Sequence, residues 1–246
     1  MIQTNRTISG AAEVTRQLAD VNALTGGTRE FAFTRDDFDR IAKLIHQHAG
    51  ISLSPIKFDM VYSRLARRLR ATGDATFSDY IRRLERNDHT EWETFVNSLT
   101  TNLTSFFREA HHFDLLKDHL TRLGKPTARI WCSAASTGEE PYSIAITCCE
   151  LYGSMMPPVE IIATDIDTNV LAHGQAGVYS EDRIEKLSPE LVRKYFLRGT
   201  GSRAGDVRVR PELQKLIRFS RLNLLEPNWP VRGPLEAIFC RNVMIY

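Results

Sequence analysis

The chain has 246 residues, of which 42% are hydrophobic and 25% are charged, a composition typical of a globular protein with one large and one small domain. Its 32 basic and 30 acidic residues leave a net charge of +2, so no global field attracts nucleic acid or an acidic membrane. No stretch reaches the roughly eighteen apolar residues of a membrane span, and the start lacks a secretory signal. We expect a cytoplasmic monomer with no membrane insertion.

The first part of the chain predicts a mobile segment followed by a helical domain. Residues 1–32 show no sustained periodicity and are expected to be mobile, with order beginning at Phe33. Thr34 and Asp37 have the spacing of an N-cap and its partner, at the start of a helix that runs toward Gly50. Three further helix starts are predicted at Ser54 before Pro55, Thr76 with Asp79, and Thr90 with Glu93. Residues 33–100 are therefore predicted to be all-helical.

The pattern changes after Gly124 to that of a parallel α/β domain. An apolar run, a glycine-containing turn, a helical stretch and a second apolar run follow one another at 128–134, 136–141, 142–153 and 159–167. This order predicts strand, loop, helix and strand. Residues 101–246 are therefore predicted to form one α/β domain, with a last strand at 236–240.

A small β subdomain is predicted at about 200–222, beside a glycine-rich turn at 199–206. The runs VRVR at 207–210 and LIRFSRL at 216–222 alternate polar and apolar residues. Such alternation is typical of half-exposed antiparallel strands. We therefore expect both runs in the same small antiparallel sheet.

The loop Ser133–Pro141 lies where an open parallel sheet binds small ligands. It lacks the G-x-G-x-x-G spacing, which disfavours a dinucleotide. Glu139 and Glu140 at the following helix start would repel a phosphate but suit an ammonium or a sulfonium, as in S-adenosylmethionine. The alternative is that both acids only stabilise the helix dipole.

Two further strand ends carry polar residues. Asp165 ends the second apolar run, where an acid can accept both ribose hydroxyls of an adenosine. The alternative, that a residue here only caps the next helix, fits Asp167 or Thr168 better than Asp165. Arg241 and Asn242 follow the last strand, and their position alone leaves a binding role and a surface role equally open.

Five runs of the sequence resemble the motifs of the CheR-type chemotaxis receptor methyltransferases. They are LTTNLTSFFREAHHF (99–113), AASTGEEPYSIAIT (134–147), ATDID (163–167), NLL (223–225) and IFCRNVMIY (238–246). The resemblance covers residues 33–246. It implies an N-terminal helical domain, an S-adenosylmethionine-dependent Rossmann-like α/β domain and a small inserted antiparallel β subdomain.

The resemblance also implies the residues that bind S-adenosylmethionine and leave S-adenosyl-L-homocysteine as the product. The interdomain residues that close over the cofactor are Asn102, Thr104 and Arg108. Glu140 meets the methionine end, and Asp165 holds the ribose. Asn223 and Leu224 flank the adenine, while Arg241 and Asn242 line the methionine side.

The implied chemistry is the formation of glutamate methyl esters on chemoreceptors in chemotaxis adaptation. A glutamate side chain has a reference pKa of about 4.3, so it is already ionised at neutral pH and needs no general base. The enzyme must instead orient the carboxylate and exclude water. Arg108 is expected to grip the carboxylate, with the hydroxyl of Tyr246 beside the reacting centre, and neither residue acts as an acid or a base.

A basic helix is predicted to face the receptor. Arg64, Arg67 and Arg68 share one face of the helix that follows Ser54, and no acid occurs between Asp59 and Asp74. This face is therefore expected to be free to bind the glutamate-rich methylation helices of the cytoplasmic receptor domain. The alternative is a solvated face that only adds solubility. The resemblance implies that the β subdomain can tether the receptor's C-terminal tail.

The chain also departs from the family pattern at its end. Members of the family continue past the last motif with a helix and closing strands of the sheet, and this sequence ends at Tyr246. We therefore expect the C-terminal strands of the fold to be missing, the edge of the strand at 236–240 to be uncovered, and cofactor binding to be weakened.

Other functions compete with this interpretation. One is a truncated, non-catalytic receptor-binding module, and another is an RNA methyltransferase that uses the basic face at 64–70 on phosphates. The second lacks an aromatic and basic stripe for stacking bases. A dehydrogenase is disfavoured by the missing glycine fingerprint. The four cysteines contain no C-x-x-C pair, so we expect reduced thiols and no metal site.

Overall fold

The computed structural model of the protein describes residues 29–86 and 89–243, without the side chain of His89. The predictions made for residues 1–28 and for Tyr246 lie outside the described residues. In the described part of the chain, no helix is both long and apolar enough to pass through a bilayer.

Within residues 29–86 and 89–100, four helices form the N-terminal domain: α1 Arg35–Ala49, α2 Phe58–Thr72, α3 Phe77–Glu85 and α4 His89–Leu99. A short 3-10 turn, Pro55–Lys57, leads into α2. The helices bury apolar residues spaced three or four apart, such as Ile41 with Ile45 and Leu65 with Leu69, in one shared core. The predicted helical domain is confirmed, and its core begins earlier than predicted, because Phe31 already packs against it.

Of the four helix starts predicted from capping residues, two are found as predicted and two differ. Thr34 and Asp37 form a complete capping box, and the hydroxyl of Thr76 accepts a hydrogen bond from the amide of Asp79, so both predicted caps are confirmed. Ser54 makes no side-chain cap, because the chain first forms the 3-10 turn. Thr90 lies inside α4, so the helix start predicted there is wrong.

As far as the structure describes it, to residue 243, the second domain contains five helices and seven strands. The helices are α5 His111–Leu123, α6 Glu139–Tyr152, α7 Thr168–Ala176, α8 Pro189–Tyr195 and α9 Pro211–Gln214. The strands are β1 Ala128–Cys132, β2 Val159–Asp165, β3 Val178–Ser180, β4 Phe196–Arg198, β5 Asp206–Val209, β6 Ile217–Arg221 and β7 Ala237–Phe239. Two further 3-10 turns lie at Glu181–Ile184 and Gly201–Arg203.

The large sheet has the strand order β6-β2-β1-β7, and every neighbouring pair in it is parallel. Helices α5 and α6 cover it, and α6 is apolar and almost entirely buried. Among the described residues, β7 pairs with β1 alone. The predicted α/β fold with a helical N-terminal domain is therefore confirmed.

The small sheet has the order β3-β5-β4 and is antiparallel throughout. The expected antiparallel sheet is present and contains VRVR, but the assignment of LIRFSRL to it is wrong. That run forms β6, which pairs in parallel with β2. Because β6 lies at the edge of the large sheet, only part of it is covered, and its polar and apolar residues alternate as in a half-exposed antiparallel strand.

Candidate active site

The carboxyl ends of the parallel strands meet at one edge of the large sheet, which is where open α/β sheets bind ligands. Strand β2 ends at Asp165, and its neighbour β6 ends two residues before Asn223. On the other side, β7 ends two residues before Arg241. The loop 133–138 leaves β1 between them and enters α6. Residues far apart in sequence are thereby brought to one place.

Asp165 is buried and already oriented by the backbone. Its two carboxylate oxygens accept hydrogen bonds from the amides of Ser136, at 2.8 Å, and Asp167, at 3.0 Å. Burial raises the pKa of Asp165, although these two amide bonds oppose the rise. Each oxygen keeps a further lone pair, so the carboxylate can still accept hydrogen bonds from a hydroxyl-bearing ligand.

Asp167 joins the two domains. One of its carboxylate oxygens caps α7 through the backbone amides of Asn169 and Val170, so Asp167 is the cap and the other candidate, Thr168, is the first residue of the helix. The other oxygen accepts hydrogen bonds from the hydroxyl of Thr100, at 2.5 Å, and from the side-chain amide of Asn102, at 2.9 Å. Residues 100–110, which connect α4 to α5, form the interdomain segment. Through Thr100 and Asn102 this segment is fixed to the end of β2, beside Asp165.

Glu140 and Arg241 form an ion pair at the start of α6. The guanidinium Nη1 of Arg241 donates to Oε2 of Glu140 at 2.6 Å, and the thiol of Cys132 donates to Oε1 at 3.2 Å. Only 13% of the Glu140 side chain and 10% of the Arg241 side chain are exposed. Burial raises the pKa of Glu140, and Arg241 limits the rise. Burial also raises the pKa of Cys132, so this thiol stays protonated as a donor.

Glu109 adds a second carboxylate to this cluster. Its Oε2 lies 3.2 Å from Nη2 of Arg241 and 3.4 Å from Nδ1 of His112. The hydrogen bond from Arg241 lowers the pKa of Glu109, and a bond with Asn242 contributes in the same direction. The interdomain segment is thus linked to the chain that follows β7.

Strained backbone is concentrated at the same place. The described non-glycine residues with positive φ all belong to the loops named above: Phe107, Glu109, Ser136 and Asn242, with φ of 50°, 54°, 49° and 55°. Such conformations cost free energy and persist where the surrounding structure holds them, most often at functional sites. Their position supports the strand ends as the active site.

The interdomain residues lie at this site, although their contacts differ from those expected. The carbonyl of Arg108 accepts a 2.5 Å hydrogen bond from Arg241, while its guanidinium donates to the carbonyl of Leu103 at 2.7 Å. The carbonyl of Thr104 accepts a hydrogen bond from Arg183 at 2.9 Å. The carbonyl of Asn102 accepts one from the hydroxyl of Ser136 at 3.2 Å.

Asn223 contacts the helical domain. Its side-chain amide donates to the carbonyl of His48 at 2.7 Å, and its side-chain oxygen accepts from the amide of Leu225 at 3.0 Å. Leu224 packs against the small apolar cluster around Trp131. Both residues flank the end of β6, and their contact with adenine stays a prediction.

The basic face of α2 is not free in the way the sequence suggested. Arg68 forms a two-pronged ion pair with the buried Glu91, at 3.0 and 2.8 Å. Arg64 donates to the carbonyls of Ser98 and Thr100, at 3.2 and 2.7 Å. These partners lie on α4 and in the interdomain segment. The sequence prediction considered only acids within the same helix and therefore missed them. Arg67 is exposed.

Several residues of the site carried no recognisable signal in the sequence. Glu109 follows Arg108 in the SFFRE motif, but its partner Arg241 lies far along the chain. Cys132 ends an apolar strand, and its thiol contact with Glu140 depends on how α6 packs against β1. Ser136 contacts Asp165 through its backbone amide, which every residue type except proline would supply, so this contact leaves no mark on the sequence. Arg183 belongs to a 3-10 turn with no motif of its own.

The residues at the strand ends fit S-adenosylmethionine. Its methionine part carries an ammonium and a carboxylate, which suit Glu140 and Arg241 respectively. Nε of Arg241 is buried and, within the described part of the chain, has no hydrogen-bond partner, so it can serve a further acceptor. Asp165 can accept from hydroxyls, as a ribose requires.

Comparison with known proteins identifies the family of both domains. Residues 36–100 match the family model described as the CheR methyltransferase all-alpha domain, and residues 102–246 match the CheR methyltransferase SAM binding domain. Within the second match lie the residues at the strand ends, from Asn102 to Asn242.

Curated relatives give the same result. The chain is 52% identical over 223 residues to chemotaxis protein methyltransferase 2 of Pseudomonas aeruginosa, an alignment that covers 89% of this chain and 79% of the relative. It is 51% identical over 220 residues to the chemotaxis protein methyltransferase of Escherichia coli, with coverages of 89% and 77%. A relative from Borreliella burgdorferi is 35% identical over 226 residues, with coverages of 87% and 78%. The chain therefore belongs to the CheR methyltransferase family.

Proposed function

We propose that the chain transfers the methyl group of S-adenosylmethionine to glutamate side-chain carboxylates of chemoreceptors in chemotaxis adaptation. The products are a glutamate methyl ester and S-adenosyl-L-homocysteine, and the reaction takes place in the cytoplasm. The observation that carries the proposal is the buried Glu140–Arg241 pair at the strand ends, beside the buried Asp165. These groups match the ammonium, carboxylate and ribose of S-adenosylmethionine in a chain of the CheR family.

The residues of the chain are proposed to bind and orient rather than to transfer protons. Bound at the strand ends, S-adenosylmethionine supplies a methyl group activated by its sulfonium. The glutamate side chain of the receptor is ionised at neutral pH, so its carboxylate oxygen is already a nucleophile. The chain must hold this oxygen in line and exclude water.

Arg108 is proposed to hold the second oxygen of the receptor glutamate. Its side chain is one third exposed, and among the described residues its guanidinium contacts the carbonyl of Leu103 and, at 4.0 Å, the carboxylate of Glu109. An arginine paired to a single carbonyl keeps further donors for a carboxylate. The hydroxyl of Tyr246 is proposed to lie beside the reacting centre, as the family resemblance implies.

The cofactor contacts are proposed to be made by the residues that gather at the strand ends and in the interdomain segment. They are Asn102, Thr104, Arg108, Glu140, Asp165, Asn223, Leu224, Arg241 and Asn242. For the receptor, the proposed partner is the glutamate-rich methylation helix, which meets α2. Of the three arginines on the basic face, Arg64 already donates to backbone carbonyls and Arg68 is paired with Glu91. The proposed contact with the receptor therefore depends mainly on Arg67.

Transfer of labelled methyl to receptor-rich membranes tests this function. We expect label that is released by mild alkali, because carboxylate esters hydrolyse there, and a loss of roughly tenfold to a hundredfold in rate for Arg108→Ala, which removes a charged hydrogen bond. The matched control is Arg35→Ala on α1, an exposed arginine of the helical domain, which should retain the full rate.

Each other outcome overturns the proposal in a recognisable way. Alkali-stable label would indicate methylation of nitrogen or carbon. Label on RNA rather than on protein would indicate an RNA methyltransferase. Isothermal titration that shows no binding of S-adenosylmethionine would indicate a non-catalytic module.

A further inference from the structure

Glu139 and Glu140 are adjacent in the first turn of α6 but face different surroundings. Successive residues of a helix are rotated by about 100°, so they project in different directions. Glu140 faces Arg241 at the strand ends. Glu139 faces the small antiparallel sheet, where only 1% of its side chain is exposed.

Arg183 is the ionic partner of this buried carboxylate. It lies in the 3-10 turn Glu181–Ile184 that follows β3, and its Nη2 forms an ion pair with Oε1 of Glu139. The other oxygen of Glu139 accepts a hydrogen bond from the hydroxyl of Thr137 at 2.6 Å. The carboxylate is therefore fixed within the loop that precedes α6.

The same guanidinium nitrogen also reaches the interdomain segment. Nη2 of Arg183 donates to the carbonyl of Thr104 at 2.9 Å. One side chain thus bridges the start of α6 and the segment that carries Asn102 and Arg108. Among the described residues, Arg183 is the side chain that bonds to both Glu139 and Thr104.

Neighbouring contacts hold the same three parts together. The hydroxyl of Tyr179, on β3, donates to the carbonyl of Thr137 at 2.7 Å. The ring of Phe106 packs edge-on against Tyr179 and Phe196, residues of the small sheet. The small sheet therefore supports both the loop before α6 and the interdomain segment.

The pair between the half-exposed Arg183 and the buried Glu139 is a weak source of net stability, because the carboxylate loses its hydration on burial. Its geometric effect here is specific, since it sets the distance between the segment 102–108 and the turn that holds Glu140. We propose that Arg183 is a positioning residue for cofactor binding, which holds the interdomain segment over the site through Thr104. This inference rests on the proposed function, in which the interdomain segment closes over bound S-adenosylmethionine.

The test uses three variants that separate charge balance from the Thr104 contact. Arg183→Met removes both bonds and leaves Glu139 buried and unpaired. Glu139→Gln removes the buried charge and leaves Arg183, of which 36% is exposed, free to keep its bond to Thr104. The double variant removes both charges and the Thr104 bond. Dissociation constants for S-adenosylmethionine and melting temperatures are measured for all three, with kcat and KM for methyl transfer.

We expect Arg183→Met to lower the melting temperature and to weaken S-adenosylmethionine binding by about tenfold, the effect of one charged hydrogen bond. Glu139→Gln should bind within about twofold of the unmodified chain, because the glutamine side-chain oxygen can still accept from Arg183 and the bond to Thr104 is kept. In the double variant the melting temperature should recover while binding stays about tenfold weaker. KM for S-adenosylmethionine should rise more than kcat falls.

Two results would overturn the proposal. One is a double variant in which binding recovers together with the melting temperature, which would show that Arg183 only balances a buried charge. The other is unchanged binding in Arg183→Met. Arg198→Met, on the same small sheet and with 73% of the arginine exposed, is the matched control and should change neither quantity. If the unmodified chain binds S-adenosylmethionine but methylates no receptor, the proposed function fails while these dissociation constants still test Arg183.

Discussion

Glu140 has two partners in the structure, the guanidinium of Arg241 and the thiol of Cys132. The thiol remains a donor because burial raises its pKa. Glu140 is therefore held in one orientation before any ligand arrives. Pre-orientation of this kind reduces the free-energy cost of ordering a binding site when its ligand binds.

The raised pKa of Glu140 predicts how cofactor binding depends on pH. A carboxyl whose pKa is raised by burial is protonated at a higher pH than an exposed glutamate, whereas a cationic ligand prefers the ionised form. The affinity for S-adenosylmethionine should therefore fall as the pH decreases from neutral through this raised pKa. Isothermal titration at several pH values measures it.

Glu140→Gln is the control for this pH dependence. The variant should bind more weakly at neutral pH and lose part of the pH dependence, with the remainder due to Asp165, whose pKa burial also raises. A pH dependence identical in the two proteins would show that Glu140 does not titrate in binding.

For individual residues, the sequence predicted the positions of side chains that lie at the end of a strand or at the start of a helix. Asp165 and Glu140 were predicted at strand and helix ends, and the structure places both beside the same loop. Arg183 was missed because its partners, Glu139 and Thr104, are far from it in sequence. The binding roles of all these residues stay predictions.

The start of helix α6 packs closely against α7 and β3 at Gly138, the residue that precedes the helix. Gly138 precedes it with φ of 98°, and a Cβ at this position would lie 2.8 Å from both Gly174 Cα and the hydroxyl of Tyr179. Only glycine fits without displacing α7 or β3. The loop that carries Glu139 and Glu140 is held in place by this packing.

Gly138→Ala should therefore destabilise the fold by roughly 3 kcal/mol, the combined effect of backbone strain and overpacking. Urea unfolding monitored by circular dichroism gives the free energy of unfolding. Gly153→Ala at the other end of α6 is the matched control, since its φ is also positive, at 61°, but nothing lies within 4 Å of the added Cβ. It should cost about 1 kcal/mol. Equal losses in the two variants would contradict the packing argument.

The strands show why element type is easier to predict than pairing. The apolar runs of β1 and β2 predicted buried parallel strands, as found. The alternation in β6 was assigned to the wrong sheet, because one partly covered face gives the same pattern in either kind of sheet. Periodicity reports which side of a strand is buried but does not report which strand lies next to it.

In the whole molecule, the two domains meet at the active site. Thr100 and Asn102 bind Asp167 at the end of β2, and Asn223 binds the carbonyl of His48 at the end of α1. The helical domain is thus linked to the ends of two neighbouring strands. A receptor helix that binds α2 would therefore be held at a defined distance from the strand ends.

The receptor-facing surface is tested by Arg67→Glu. Reversing an exposed charge should weaken attraction to an acidic helix, so KM for the receptor should rise by about threefold to tenfold while the dissociation constant of S-adenosylmethionine stays unchanged. The effect should shrink at high salt, which screens exposed charges. Arg35→Glu, on α1, reverses a similarly exposed arginine and should leave the receptor KM unchanged. Equal effects of the two substitutions would show that only net charge matters.

The sequence by itself determined the helical domain, the parallel strands β1 and β2 and the caps at Thr34 and Thr76, together with the motifs that identify the family. These features depend on local hydrogen bonds and on the periodicity of burial, both of which are visible within a few residues. The tertiary structure alone decided the pairing of β6, the partners of Arg64 and Arg68, and the bridge from Arg183 to Glu139 and Thr104. Each of these joins groups separated by long stretches of chain, so its partner is set by how the domains pack rather than by the residues beside it.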